Sequence, residues 1–157
     1  MHIRKIEQEK NLYLPLLLIA DPSEEQIGKY LDRSQLFIGF ESDIPVCCAA
    51  VMPTGPRTAE LKNLAVIPLR QKCGLGGQMI RLVENRLRCQ NIRQLTISTG
   101  SPGKGEPPFY QEAFYRRCGF EPYGYDPGYF TANYPEPLYE EDGRQCIDRV
   151  LLRKILG

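Results

Sequence analysis

The stretch from Ala59 to Gln78, AELKNLAVIPLRQKCGLGGQ, restricts this chain more than any other. Its first half, Glu60 to Ile67, is apolar at Leu61, Leu64, Ala65, Val66 and Ile67 and turns β-branched toward its end, as in a strand buried within a sheet. Pro68 stops that strand. A basic turn of Arg70, Gln71 and Lys72 leads through Cys73 into Gly74, Leu75, Gly76 and Gly77. An amphipathic helix then runs from Gln78 to Cys89, apolar at Met79, Ile80, Leu82, Val83 and Leu87. This order has a physical use. The first turn of a helix presents unpaired N–H groups and about half a unit of positive charge, and glycines let an anion reach the backbone without a Cβ in the way. A pyrophosphate-bearing ligand is the implied guest. The P-loop pattern requires Lys-Ser or Lys-Thr after its last glycine, where this chain has Gly77-Gln78; a dinucleotide fingerprint requires Gly or Ala where it has Met79. Both patterns fail.

What does match is Gln-x-x-Gly-x-Gly from Gln71 to Gly76, behind a strand ending Leu64-Ala65-Val66 and a proline. A second segment, Tyr115-Arg116-Arg117-Cys118-Gly119-Phe120, follows downstream with a strand between. The first resembles the acetyl-CoA-binding segment of the GCN5-related N-acetyltransferases, the GNAT family, and the second resembles that family's Tyr-x-x-x-Gly-Phe segment at the end of its fourth helix. By itself the hexapeptide would equally suit a glycine helix start with no ligand; the two segments together make the resemblance specific. It implies a single N-acetyltransferase domain over residues 1–157. The implied fold is α/β, a mixed, mostly antiparallel central sheet of about six to seven strands with helices on both faces.

Composition agrees with one globular domain. A chain of 157 residues, 42% hydrophobic, is long enough to bury about two thirds of its unfolded surface. Twenty basic against nineteen acidic side chains leave a net charge of +1, which supplies no electrostatic attraction to nucleic acid or a membrane surface. Cysteines at 47, 48, 73, 89, 118 and 146 form no Cys-x-x-Cys, and the only histidine is His2, so no metal site is expected. Reduced thiols in a cytoplasmic protein are the reading. Leu12 to Ala20 lacks a cleavage site, contains Pro15, follows Glu7 and Glu9 and is too short for a bilayer, so it reads as a first helix packed on the sheet.

His2 to Ile6 alternates as an opening strand. Asp21-Pro22-Ser23-Glu24 offers an N-cap acid with proline at the first helical position, and Ile27, Tyr30 and Leu31 form the buried face behind it. Gln35–Glu41 and Pro45–Met52 are two strands about a turn at Ser42, Asp43 and Ile44, and Pro53 to Arg57 turn into the central strand, giving an antiparallel meander. Gln94 to Ser98 is the next strand, reached by a right-handed crossover. Ser101 to Pro108 is a loop, Pro107 and Pro108 suit the first turn of a helix running to Cys118, and Gly119 suits its C′ position. Glu121 to Gln145 is turn-rich and holds five of the nine tyrosines. Cys146 to Leu156 reads as the last strand, although a helix would also fit its pattern.

The resemblance also implies roles. Acetyl-CoA is the co-substrate, its pantetheine lying along Leu64, Ala65 and Val66 and its pyrophosphate held by Gln71, Lys72, Cys73, Gly74, Leu75, Gly76 and Gly77. Tyr115 falls on the family's general acid for the departing thiolate; the plain alternative is a core tyrosine. Glu60 falls where one branch of the family has its base, acting directly or through water, or it is a partner for a nearby cation. Many members carry an asparagine seven residues before the tyrosine, and here that residue is Pro108. The implied reaction is direct attack on the thioester by a primary amine in a ternary complex. The alternatives are a protein amine as acceptor, or an acyl-CoA-binding sensor without turnover. A homodimer is common in the family. Tyr123 to Asp142 would wall the acceptor; it carries Asp126, Glu136, Glu140, Glu141 and Asp142 without a Lys or Arg, which suits a small cationic amine, and the plain alternative is a solvated acidic loop whose tyrosines pack on the sheet.

Overall fold

A computed structural model describes residues 1–157, which divide into two compact units, Met1–Leu95 with Leu156–Gly157, and Thr96–Ile155. The first unit opens with strand β1, His2–Ile6, followed by α1, Leu14–Ala20, and α2, Glu24–Gly28. The meander of β2, Gln35–Glu41, β3, Ile44–Gly55, and β4, Thr58–Val66, is antiparallel as expected. α3, Leu75–Cys89, returns the chain toward β5, Gln94–Ser101.

The register puts Leu36, Ile38, Phe40, Cys48, Ala50 and Ala65 on one face, in a cluster with Leu16, Leu17, Ile27, Tyr30 and Leu31 from the α1 and α2 region. The other face belongs to α3. Gly39 points opposite to Ile38 and Phe40, and a Cβ there would stand 3.3 Å from Met79 Cε of α3. Cys47 and Cys48, adjacent on β3, are both fully buried, as two small apolar residues on opposite faces should be.

Several boundaries differ from expectation, each for a local reason. Ser23, not Asp21, caps α2: its Oγ accepts the Gln26 N–H at 3.1 Å, while Asp21 ends α1 and accepts the Ser23 N–H at 3.0 Å. Pro22 is therefore outside the helix. The β2–β3 turn is two residues, Ser42 and Asp43 at φ 49° and 66°, and Ile44 joins the ladder opposite Glu41; two left-handed residues match the twist of the paired strands. β3 runs through Pro53 to Gly55, where Pro53 is tolerated because β2 begins only opposite Val51 and leaves one side of β3 as an edge beyond it.

In the second unit α4, Tyr110–Arg117, starts after both prolines, because Phe109 takes ψ 165° as the N-cap and buries its ring. The turn-rich segment holds β6, Glu121–Asp126, α5, Tyr129–Asn133, β7, Leu138–Tyr139, and β8, Gln145–Cys146; β9, Asp148–Ile155, follows as the expected strand. β6 pairs antiparallel with β9, so the tyrosine alternation at 123 and 125 was a strand signal hidden by Pro122, Gly124 and Pro127. Seven strands hydrogen-bond in the order β1-β2-β3-β4-β5-β9-β6, and β7 with β8 forms a separate pair. No helix is long and apolar enough to cross a membrane.

Candidate active site

β4 is paired on β3 with two irregularities, one between Pro53 and Gly55 near the turn and one within the strand, where Ala50 faces Asn63 and Val51 faces Leu61, leaving Lys62 without an opposite residue. This bulge places Glu60 and Asn63 on one face although they are three residues apart. Asn63, 4% exposed, donates from Nδ2 to Leu17 O at 2.9 Å and to the Tyr30 hydroxyl at 3.1 Å, joining β4 to the α1 and α2 region. Lys62 Nζ stands 5.6 Å from the Tyr30 ring centroid and 3.4 Å from Glu60 Oε2. Glu60 is thus ion-paired with a lysine of its own strand, with about a fifth of its side chain exposed.

Beyond Val66 the chain turns through a short 3₁₀ segment, Pro68–Arg70. Arg70 meets both oxygens of Glu41 at 2.8 and 2.9 Å, which holds the Glu41 carboxyl below its ordinary range and pins the loop to the β2–β3 turn. Gln71 folds back, its Nε2 donating to Val66 O at 2.9 Å, and the Cys73 thiol meets Gln71 O at 3.4 Å. Lys72 and Gly74 take φ 60° and 85°, and Gly74 becomes the N-cap of α3. The helix starts three residues earlier than its apolar pattern predicts: Gln78 N–H already donates to Gly74 O at 3.1 Å, so Leu75, Gly76 and Gly77 form the first turn. Buried Leu75 seats that turn from below. No side chain caps it and no acid lies within it, so the chain supplies no anion of its own to the free N–H groups. A Cβ at Gly74 would meet nothing within 4 Å, and one at Gly77 only Arg81 Nη1 at 3.5 Å. Such a cradle fits a pyrophosphate.

In the second unit Tyr115 lies at the close of α4. Phe120 N–H donates to Tyr115 O at 3.1 Å and Gly119 N–H to Arg116 O at 3.0 Å, with Gly119 at φ 98°, a Schellman ending. The Tyr115 ring is packed edge-on between Phe114 and Phe120, at 5.2 and 5.9 Å between centroids. It is 9% exposed, and burial pushes its phenol above the ordinary range.

Residues 32–122 match the family model for an acetyltransferase (GNAT) domain, more than half of the chain. The chain belongs to the GNAT family. It is 32% identical over 146 residues to the Bacillus subtilis protein described as uncharacterized N-acetyltransferase YvbK, covering 93% of this chain and 90% of that one. A GNAT family acetyltransferase from Elizabethkingia anophelis, solved with acetyl-CoA bound, superposes with TM-score 0.88 at 31% identity over 98% of this chain and 97% of that one. A Bacillus subtilis acetyltransferase in complex with CoA gives TM-score 0.86 at 29% identity, over 99% and 98%. This GNAT protein is an acetyl-CoA-dependent N-acetyltransferase, with acetyl-CoA as its co-substrate.

The remaining residues of this GNAT enzyme that sequence reasoning singled out lie in the second unit, and many are already engaged. Asp126 pairs with Arg149 and Asp142 with Arg144, at 2.8 and 2.7 Å. The rings of Tyr123, Tyr125 and Tyr129 face Arg153, Lys104 and Arg149, at 5.3, 5.3 and 4.0 Å. Glu140 meets Gln111 Nε2 at 3.5 Å, and burial raises its carboxyl above the usual range. Pro108 is exposed just before α4. Sequence reasoning missed Asn63 and Arg144. The first could have been found, since an amide inside the apolar run from Leu61 to Ala65 must find partners if buried. Arg144 has no local signal, because its carbonyl partner, Pro107 O, is 37 residues away.

Proposed function

We propose that residues 1–157 act as one acetyl-transfer domain that moves the acetyl group to a primary amine by direct attack in a ternary complex. The observation that carries this is the uncapped, glycine-lined start of α3 directly behind β4. In this reading Gln71, Lys72, Cys73, Gly74, Leu75, Gly76 and Gly77 hold the pyrophosphate, and the backbone of Leu64, Ala65 and Val66 aligns the pantetheine arm. An N–H of that strand receives the thioester oxygen as it becomes an oxyanion. The amine lone pair forms the new C–N bond, and the C–S bond then breaks. Tyr115 donates its phenolic proton to the departing thiolate, and the proton lost by the amine passes to Glu60, directly or through water. For that step Glu60 shares its carboxylate between Lys62 and the proton, since the two are ion-paired.

The acceptor we infer is a small cationic molecule. The segment from Tyr123 to Asp142 supports it, as its rings already attract Arg and Lys side chains, and Glu136, Glu141 and Tyr139 stay exposed. A cytoplasmic homodimer completes the reading, on the family's habit. The test is thiol release from acetyl-CoA by the purified protein with polyamines, aminoglycosides, neutral and acidic amino acids and lysine peptides. The cationic small amines should give the highest kcat/KM; a preference for an acidic amine, or no turnover with any primary amine, would refute the acceptor assignment.

A further inference from the structure

We propose that Arg144 is a positioning residue for Tyr115, an inference that rests on the general-acid reading of that tyrosine. α4 has eight residues, too few to hold its place by its own hydrogen bonds, and its N-terminal end has no side-chain cap. Pro107 and Pro108, which lead into it, have no N–H to donate. One guanidinium ties down the chain that leads into the helix. Arg144 Nη1 donates to Pro107 O at 2.6 Å, and its Cζ lies 4.9 Å from the ring centroid of Phe109, the N-cap of α4, which is 2% exposed.

The guanidinium is itself held from behind. Its Nε and Nη2 donate to Asp142 Oδ2 at 2.9 and 2.7 Å, while the Arg144 backbone N–H donates to Asp142 Oδ1 at 2.9 Å. The turn that carries it is closed by Gly143 N–H to Glu140 O at 2.9 Å and Glu140 N–H to Arg144 O at 3.0 Å, with Gly143 at φ 85°. A second strut joins the same turn to the helix, Gln111 Nε2 to Glu140 Oε2 at 3.5 Å. The other end of α4 is anchored by its Schellman turn and by Lys154 Nζ, which donates to Cys118 O at 2.8 Å. Tyr115 therefore rides on a helix held at both ends, at its close by the Schellman turn and Lys154 and at its start by Arg144 from the turn between β7 and β8. A lysine would keep the charge but neither the planar fork nor the stacking on Phe109.

The experiment is a double-mutant cycle in kcat with saturating amine: wild type, Arg144→Lys, Tyr115→Phe and the pair, each checked by thermal melting. Arg144→Lys should lower kcat by roughly tenfold to a hundredfold, the range a displaced catalytic group produces, with KM for acetyl-CoA changed little. In the Tyr115→Phe background the same substitution should cost less than about twofold, because the group it positions is gone. Equal losses in both backgrounds, or wild-type kcat in Arg144→Lys, would overturn the inference. Undiminished kcat in Tyr115→Phe would instead overturn the general-acid reading, so the two failures are told apart. If Arg144→Lys does not fold, Asp142→Asn, which loosens the fork from behind, replaces it in the cycle with the same expected sign and the same overturning result.

Discussion

At the scale of single residues, the proposed mechanism turns on whether Tyr115 keeps a proton and where it can give it. Its ring is wedged between Phe114 and Phe120, and burial holds the phenol above its ordinary range, so the donor form persists to a higher pH than in a free tyrosine. Tyr115→Phe should leave acetyl-CoA binding intact and lower kcat by about 10²-fold to 10⁴-fold, as removal of a general acid does. The pH dependence follows in sign: with the amine deprotonated and saturating, kcat should stay level through about pH 10, where an ordinary phenol would begin to ionise. An alkaline limb near pH 8 that vanishes in Tyr115→Phe would contradict this. The position of Tyr115 at the end of α4 was legible because Gly119 and Phe120 complete its motif and also build its turn. Asn63 and Arg144 were less so, since each acts on a backbone carbonyl far away in sequence, Leu17 O and Pro107 O.

At the scale of elements, the start of α3 is where sequence and ligand chemistry meet. Reading Gly74, Gly76 and Gly77 as a loop was reasonable, because each glycine weakens a helix by about 1 kcal/mol relative to alanine. Buried Leu75 outweighs that, and the first turn forms around the glycines with its N–H groups free. Gly76→Asp separates binding from folding: an acid in the first turn favours the helix dipole by about 0.3 to 1 kcal/mol, so the fold should hold. Acetyl-CoA affinity should fall more than tenfold, beyond about 1.4 kcal/mol, when a carboxylate occupies the pyrophosphate's place. Calorimetry giving wild-type affinity in a folded variant would remove α3 from the site. β6 and α5 were illegible for a different reason: Pro122, Gly124, Pro127 and Gly128 read as turns, and contacts distant in sequence hold them in place, among them the pairing with β9 and the bonds from Gly128 N–H to Asp148 and Phe130 N–H to Ile147 O.

At the scale of the whole molecule, the meander and the two motifs in their order were enough to predict the fold, since alternation and turn residues fix β2, β3 and β4 locally. Stability carries a signature of its buried thiols. Burial pushes Cys47 and Cys146 up to about 12 and raises Cys48 as well, whereas thiols of the unfolded chain titrate near 8.5. Their contribution is full below about pH 8.5 and is lost progressively as pH rises from there toward 12. Melting temperature should therefore drop steadily from pH 8.5 to 10.5; a flat profile would mean that these thiols are not sealed. The central claim, acetyl transfer by direct attack from a bound acetyl-CoA, is tested most directly by initial rates with acetyl-CoA and the best amine varied together. Intersecting double-reciprocal lines are predicted, as in a ternary complex. Parallel lines, with an acetylated enzyme captured in the absence of amine, would contradict it.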